Sequence, residues 1–165
     1  EAYWGGGYKE LISSLSEVSA DYSEVIMDRP NYSPYIYFLF YQKTDPAKFQ
    51  KEVIRYPEDK EGFQHVKKLS GIIFKPILWA EDILVPNRLL VSWAESTPPS
   101  ATNSAILIDK DIFLALNNQF GETFGLQVGD IIKRRIIKTI KLNNGQDYFY
   151  LIEVKRIPQG TPFTL

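Results

Sequence analysis

The apolar residues of the N-terminal third recur first at helical spacing and then as a short extended run. Residues 8–20 carry one apolar stripe, which predicts a half-buried amphipathic helix. The stripe consists of Leu11, Ile12, Leu15 and Val18. Residues 24–27, Glu-Val-Ile-Met, predict a strand, and Asp28-Arg-Pro-Asn31 predicts the turn that ends it. A helix-to-strand unit therefore opens the domain.

Two more helix starts follow, each with a capping side chain placed before a proline. Ser33-Pro34 and Thr44-Asp45-Pro46 fit this pattern. Ser and Asp accept hydrogen bonds from the first helical turn, and proline suits the first helical position. The two starts predict one helix over residues 35–43 and another over residues 46–53.

The middle of the chain favours extended structure. Residues 68–79 contain Ile-Ile-Phe, and Pro76 predicts an edge strand because proline cannot donate to a sheet ladder. Residues 89–93 predict a second strand, and residues 105–108 predict a buried third strand. The polar, proline-containing residues 95–104 between them predict a surface loop and not a domain boundary.

The pattern returns to helical spacing over residues 111–119. Ile112, Leu116 and Phe120 form the apolar stripe of this segment. Gly121 suits the left-handed position that ends many helices. The segment therefore predicts a fourth helix.

Asn144-Gly145 is the strongest local signal, because it lies between two long runs rich in β-branched and aromatic residues. Asn-Gly favours a two-residue type I′ turn, whose central residues both need positive φ. Residues 131–142 and 148–155 are therefore predicted to form an antiparallel hairpin. The expected register pairs Ile140 with Phe149, Ile137 with Ile152, and Lys141 with Tyr148. Residues 158–165 are expected to leave the sheet as an irregular strand.

Together these elements predict an α/β fold with α+β character: helices packed on a single mixed sheet that ends in a C-terminal antiparallel hairpin. Residues 1–165 are enough to bury the core of a single domain. The longest uninterrupted apolar run, residues 35–41, is far shorter than the ~20 residues that cross a bilayer. We therefore expect one soluble domain.

Charge and composition exclude several classes of protein. The formal net charge of -1 gives no long-range field that would attract nucleic acid. Because the chain contains no cysteine, it has no disulfide, thiolate metal site or thiol nucleophile. His65 is the only histidine, which excludes a multi-histidine metal centre. We predict no cofactor, no metal and no nucleic-acid partner.

Two motifs could carry chemistry, and each has a structural alternative. Gly5-Gly6-Gly7 precedes a helix and could bind phosphate through exposed amides. A phosphate loop also requires a preceding strand and a Gly-Lys-Ser/Thr sequence, so a flexible linker is the favoured interpretation. His65 could be a general base, but no serine nucleophile motif accompanies it, so a hydrogen-bonded structural role is favoured.

The carboxylates are scattered along the chain, and the sequence cannot show whether two of them flank a sugar. A glycosidase would need such a pair. The structural alternatives are specific: Asp45 and Asp111 as helix caps, Asp109 and Asp130 in turns.

The densest group of aromatic residues, residues 32–41, has two interpretations. Helical spacing directs its rings to more than one face, so they could pack on the sheet with their hydroxyls at the rim. Alternatively, some rings could stack on a sugar or a lipid headgroup, or face a membrane-embedded partner. The group consists of Tyr32, Tyr35, Tyr37, Phe38, Phe40 and Tyr41.

Two strings carry a resemblance to a known family: Trp4-Gly-Gly-Gly-Tyr-Lys-Glu-Leu11 and Ser33-Pro-Tyr-Ile-Tyr-Phe-Leu-Phe-Tyr-Gln-Lys-Thr-Asp-Pro-Ala-Lys-Phe-Gln50. They resemble the soluble domain that follows the last membrane span in bacterial family 39 glycosyltransferases, the dolichyl-phosphate-mannose protein mannosyltransferase-like group. Phe74-Lys-Pro-Ile77, Leu89-Leu-Val91 and the Asn-Gly hairpin fall in a similar order. The resemblance covers residues 3–93, is loose over residues 94–130 and returns at the hairpin.

The resemblance implies a multi-span GT-C enzyme that takes a sugar from a polyprenyl-phosphate donor on the extracytoplasmic side of the bacterial membrane. In that family the catalytic acid lies in an early extracytoplasmic loop. No residue of this chain matches that motif, so we assign no catalytic residue. The chain would be a soluble accessory domain cut from a larger membrane protein and inactive alone, with residues 1–7 as the linker from the last span.

Under this resemblance the partners are the membrane-embedded part of the same polypeptide and, through the parent enzyme, a polyprenyl-phosphate-linked sugar. The candidate substrate-binding residues are aromatic or basic: Tyr32, Tyr35, Tyr41, Lys43 and Trp79. The alternative is a self-contained carbohydrate-binding or small enzymatic domain. That alternative predicts a concave site lined by Tyr or Trp with converging polar groups.

Overall fold

The computed structural model describes residues 5–121 and 123–162. Residues 1–4, including Trp4 of the opening motif and most of the expected linker, lie outside these ranges, as does the end of the tail expected over residues 158–165. The described chain forms one eight-stranded sheet with helices on both faces. This arrangement confirms the predicted fold class.

The sheet combines a parallel centre with antiparallel flanks. Its strands are β1 (Glu24–Met27), β2 (Ile54–Arg55), β3 (Val66–Leu69), β4 (Ile72–Phe74), β5 (Arg88–Trp93), β6 (Ser104–Leu107), β7 (Ile131–Lys141) and β8 (Asp147–Ile157). Their order across the sheet is β2-β3-β4-β1-β5-β8-β7-β6. β1 pairs in parallel with β4 on one side and with β5 on the other. The remaining pairs are antiparallel, so the sheet is mixed as predicted.

Helices cover the two faces of the sheet separately. They are α1 (Tyr8–Val18), α2 (Tyr35–Tyr41), α3 (Pro46–Glu52) and α4 (Lys110–Phe120). α1 and α2 lie on one face, where Leu11 and Phe38 pack in a core with Val25. α4 lies on the other face, where Leu116 packs with Ile26. Because neighbouring strand residues point to opposite faces, the adjacent Val25 and Ile26 serve the two cores.

Capping side chains fix where two of the helices begin. Asp45 accepts a hydrogen bond of 2.7 Å from the Ala47 N–H, so α3 begins at Pro46 as predicted. Asp109 accepts one of 2.8 Å from the Ile112 N–H and caps α4. The prediction of Asp111 as the cap is therefore wrong, because the capping position lies one residue before the helix and Asp111 lies within its first turn.

Two predictions for the central strands are wrong. Residues 68–79 are not one extended edge segment: β3 and β4 form a hairpin, and β4 lies inside the sheet between β3 and β1. Pro76 follows the end of β4, so it removes no ladder hydrogen bond. The buried strand expected over residues 105–108 is the sheet edge β6, in which Leu107 is 57% exposed.

The C-terminal hairpin is confirmed, but its turn differs from the predicted type. The loop has three residues, 143–145, closed by hydrogen bonds from the Gly145 N–H to the Leu142 carbonyl and from the Leu142 N–H to the Gln146 carbonyl. Gly145 alone supplies the positive φ, at 84°, which is typical of a turn ending in a glycine bulge.

The hairpin register follows from this turn and from two bulges. Ile140 pairs with Phe149 as predicted. Lys141 pairs with Asp147 and not with Tyr148, because the loop is one residue longer than expected. A second bulge places Ile136, and not Ile137, opposite Ile152.

Candidate functional site

The chain leaves the two central parallel strands in opposite directions. After β1 it continues to α2 on one face of the sheet. After β5 it continues to Ala101, which packs on the other face. This divergence at the carboxyl ends of neighbouring parallel strands is a topological switch point, where open α/β sheets form ligand crevices.

A pocket of about 480 Å³ lies at this switch point, and we call it the switch-point pocket. Several parts of the fold line it: α1, α2, the segment after β1, the end of β5 with the residues that follow it, and the hairpin tip. Its lining side chains are Tyr8, Arg29, Tyr32, Tyr37, Trp93, Glu95, Leu142, Gln146, Asp147 and Tyr148. Aromatic walls and charged groups thus converge from distant parts of the sequence.

Stacked aromatic rings form the floor of the switch-point pocket. The Tyr8 and Tyr37 rings are parallel, with centroids 3.8 Å apart. Phe149 lies beneath them and contacts Tyr8, Trp93 and Tyr148, with centroid distances of 5.0, 5.1 and 4.4 Å. Burial, followed by the neighbouring Tyr148 and Tyr37, raises the pKa of Tyr8 well above its ordinary value. Its phenol therefore stays protonated and available as a hydrogen-bond donor.

Arg29 forms the charged wall of the pocket. Its guanidinium donates to Glu95 Oε1 at 2.9 Å and lies 5.1 Å from the Trp93 ring centroid and 5.6 Å from that of Tyr32. Arg29 and Ser33 have φ of 55° and 52°, the left-handed region that side chains rarely adopt. Such strain is typical of functional sites, where the surrounding structure imposes it.

The hairpin tip supplies the opposite wall. Asp147 accepts hydrogen bonds from Lys141 Nζ at 2.5 Å and from the Tyr150 hydroxyl at 2.9 Å. The bond from Lys141 has the larger effect and the bond from Tyr150 the smaller one. Together they hold the pKa of the Asp147 carboxyl below its usual range, so the side chain is ionised at neutral pH. Gln146 and Tyr148 flank it on the pocket side.

Gly7 allows the hairpin to approach α1 closely. Its φ is 82°, and a Cβ at this position would lie 3.0 Å from Tyr148 Cδ1 and 3.2 Å from Ile140 Cγ2. Any other residue would therefore be strained and would push Tyr148 out of position. Gly5 is similarly close to Tyr37, at 2.9 Å from Cε1 to the position a Cβ would take. Gly5 and Gly7 thus pack against aromatic side chains that line the pocket.

A second surface adjoins the pocket along α2. Tyr32, Ile36 and Phe40 repeat at intervals of four residues and are 63%, 52% and 72% exposed. We call these three side chains the outer stripe. They line a groove of about 510 Å³ together with Gly5, Ser33, Tyr37 and Tyr41. The structure divides the aromatic block, because Phe38 is buried in the core while Phe40 faces outward.

The structure brings together only some of the sequence-predicted binding residues. Tyr32 lines both the switch-point pocket and the outer groove, and Tyr41 lines the groove. Tyr35 packs towards the core and stacks on Phe49 at 6.0 Å. Lys43 is exposed two residues after the end of α2. Trp79 packs against the core on the opposite face of the sheet, away from the other four.

Sequence reasoning missed Arg29, Glu95 and Tyr148. A usable signal was present for the first two, since they follow the ends of two predicted strands. Polar residues at the carboxyl ends of parallel strands are candidate ligand contacts. Tyr148 gave no such signal, because its place at the pocket depends on the bulged register of the hairpin.

His65 is hydrogen-bonded to a carboxylate close to it in the sequence. Its Nε2 is 3.2 Å from Asp59 Oδ2, and Asp59 also accepts hydrogen bonds from the Glu61 and Phe63 N–H groups. Ser33 lines the same surface depression. Within the described chain, no hydrogen bond joins the Ser33 hydroxyl to the imidazole.

Several carboxylates that could have formed a catalytic pair connect segments of the fold instead. Asp28 accepts from the Ile77 N–H at 3.1 Å. Asp130 accepts from the Gln127 and Gln159 N–H groups and lies 2.8 Å from Arg156 Nε. Burial acts to raise the pKa of Asp130, but these donors outweigh it and hold the pKa below its usual range. The carboxylate is therefore kept ionised as a structural acceptor.

Among residues 5–121 and 123–162, no three side chains of the metal-ligating types converge. The same residues contain no helix with the length and hydropathy needed to cross a membrane.

Comparison of the chain with protein-family models, curated proteins and solved structures finds no match. The fold and the pocket define a class, a mixed α/β domain with a crevice at its switch point.

Proposed function

We propose that this chain is an extracytoplasmic accessory domain of a bacterial, polyprenyl-phosphate-sugar-dependent membrane glycosyltransferase of the family 39 type. The domain carries no catalytic residue of its own and helps to position the acceptor or the donor. The sequence motifs around residues 4–11 and 33–50 motivate the proposal. The outer stripe is the structural observation that supports it.

The outer stripe has the chemistry of a docking surface. α2 consists of Tyr-Ile-Tyr-Phe-Leu-Phe-Tyr and has no charged residue on any side. A soluble helix normally presents a polar face to water, and contiguous exposed apolar side chains mark interaction sites. Ile36 and Phe40 therefore support the presence of a partner surface over α2.

The occupant we propose is the membrane-embedded part of the same polypeptide. Gly5, the first described residue, lines the groove beside the outer stripe, so a partner attached N-terminal to this residue would be tethered close to the stripe. A tethered partner held next to its docking site has a high effective concentration and needs little intrinsic affinity. This accounts for a stripe of only three exposed side chains.

The reading frame that encodes the chain provides the most direct test. The proposal predicts several apolar spans of ~20 residues encoded upstream of Glu1. A reading frame that starts within a few residues of Trp4 would contradict it.

Phe40→Asp is expected to separate docking from folding. Phe40 is 72% exposed, so the substitution should change the free energy of unfolding of the domain by about 0.5 kcal/mol or less. In the parent enzyme it should lower glycosyl transfer about tenfold, as expected on removal of an aromatic anchor that contributes about 1.4 kcal/mol.

Leu114→Asp is the matched control for this prediction, because Leu114 is 55% exposed on α4 at the opposite face. Sugar transfer by membranes containing each full-length variant should be reduced by Phe40→Asp and unchanged by Leu114→Asp. Equal sugar transfer by the two variants would show that the outer stripe has no docking role.

A further inference from the structure

We infer that the switch-point pocket is a binding site for a neutral carbohydrate of mono- to disaccharide size. This inference goes beyond the proposed function, because it rests on the pocket alone and holds for a docking domain or for an independent one. The pocket volume of about 480 Å³ falls within the roughly 300–1,000 Å³ of small-molecule sites.

The walls of the pocket suit a sugar ring. A pyranose presents C–H faces that stack on aromatic rings and a rim of hydroxyls that need both donors and acceptors. Tyr32, at 63% exposure, and the partly exposed Tyr37 and Tyr148 offer ring surface to the pocket. Their phenols can each donate and accept a hydrogen bond.

Polar groups without a protein partner converge on the same space. Arg29 occupies Glu95 Oε1, which leaves Oε2 free to accept from a hydroxyl. The Gln146 side-chain amide has no hydrogen-bond partner among the described residues and offers a donor and an acceptor. These acceptors and donors match a polyol better than an apolar ligand.

Charge selects a neutral ligand over a phosphate. The charged side chains that line the pocket are one cation, Arg29, and two carboxylates, Glu95 and Asp147. Glu95 pairs with Arg29 at 2.9 Å and Lys141 pairs with Asp147 at 2.5 Å, so the charged side chains that line the pocket offer an anion no unpaired cation. A sugar phosphate or a polyprenyl phosphate headgroup is therefore disfavoured here.

The pocket is also closed to an organic cation. Aromatic rings beside carboxylates can bind quaternary ammonium groups. Here the Arg29 guanidinium already lies over the Trp93 and Tyr32 rings, at 5.1 and 5.6 Å. A ligand cation would have to displace this internal one, whereas a neutral sugar leaves the Arg29–Glu95 pair in place.

The site is organised before any ligand arrives. The ion pair and two aromatic contacts hold Arg29, and Tyr37 is stacked on the buried Tyr8. The hairpin tip is fixed by Lys141 and Tyr150 through Asp147. A ligand that enters therefore loses little binding energy to ordering of the protein.

The test is an NMR titration of the 165-residue chain with glucose, mannose, galactose, N-acetylglucosamine and their disaccharides, alongside inorganic phosphate, mannose 1-phosphate and choline. At least one neutral sugar should shift the amide signals of residues 29, 95 and 146–148 with a dissociation constant on the order of millimolar. Phosphate, sugar phosphate and choline should shift them less at equal concentration.

Two variants localise the binding. Tyr148→Ala, which removes a wall, and Glu95→Gln, which removes the charged acceptor, should each weaken the sugar about tenfold. Glu81→Gln is the matched control, because Glu81 also accepts one side-chain hydrogen bond, from Gln119, but does not line the pocket. The control should bind as the unmodified chain does.

Three results would each overturn the inference. The first is no shift at the pocket residues with any neutral sugar up to about 100 mM, a hundredfold above a millimolar constant. The second is tighter binding of phosphate or choline than of every sugar. The third is sugar binding that the two pocket variants leave unchanged. None of these results bears on upstream membrane spans or on the Phe40→Asp effect, so the proposed function is tested separately.

Discussion

Phe149→Ala is expected to lower the free energy of unfolding by about 3–5 kcal/mol, the usual cost of truncating a fully buried phenylalanine. Phe149 is 0% exposed and lies in the centre of the sheet on β8, opposite Trp93 of β5 and Ile140 of β7. Its ring contacts those of Tyr8, Trp93 and Tyr148. Each such aromatic pair adds about 0.5–1.5 kcal/mol beyond the area it buries.

The same substitution should also disturb the switch-point pocket, since Phe149 supports three of the rings that line it. Urea unfolding measures the first effect, and the amide shifts of residues 146–148 report the second. Phe63→Ala is the matched control: Phe63 is 60% exposed, so its loss should cost about 0.5 kcal/mol or less. A Phe149→Ala effect as small as that of the control would show that β8 is not the centre of the core.

Asp82→Asn is expected to cost about 3–5 kcal/mol, because it removes the charge of a buried carboxylate that is paired with both Lys75 and Arg88. The Asp82 side chain is 3% exposed. Its Oδ1 accepts from Lys75 Nζ at 2.7 Å and from Arg88 at 2.9 Å, and its Oδ2 accepts from the Leu78 N–H at 2.8 Å. The carboxylate thus ties the segment after β4 to the start of β5.

Salt distinguishes this buried network from a surface ion pair. Surface pairs are screened at about 1 M salt, where the Debye length falls to about 3 Å, whereas a buried pair is screened much less. The difference in unfolding free energy between Asp82→Asn and the unmodified chain should therefore persist at high salt. The exposed Asp111 provides the control, Asp111→Asn, which should cost about 1 kcal/mol or less and lose its effect in salt. A salt-sensitive Asp82→Asn effect would contradict the buried network.

Local signals predicted most of the elements correctly. The stripe from Leu11 to Val18, the Asp45-Pro46 cap and the Asn-Gly turn each act within a few residues, and the corresponding elements are present. The errors arose where long-range pairing or a bulge, and not the local sequence, determined the position of a segment. Pro76 predicted an edge position, but β4 ends before it and is enclosed by β3 and β1. A hairpin bulge likewise shifted the Ile137 pairing, because the extra residue changes which side chains of the two strands lie opposite each other.

The sequence predicted the candidate site much less well than it predicted the fold. Of the five binding residues predicted, Tyr32 alone lines the switch-point pocket. Trp79 was predicted to bind substrate because of its aromatic ring, but the face of the sheet on which a ring packs depends on the path of the chain after β4. Arg29 and Glu95 are 66 residues apart and become neighbours because β1 and β5 pair in parallel.

The sequence by itself determined the helices, most of the strands, the Asp45 cap and the absence of cysteine and multi-histidine chemistry, because these depend on residue type and on spacing over a few positions. The tertiary structure decided which aromatic rings are buried, which form the outer stripe, and which line the pocket. It did so through the strand order β4-β1-β5-β8, which sends the chain to opposite faces and leaves a crevice between them. Strand order is a property of long-range pairing, and no local pattern encodes it.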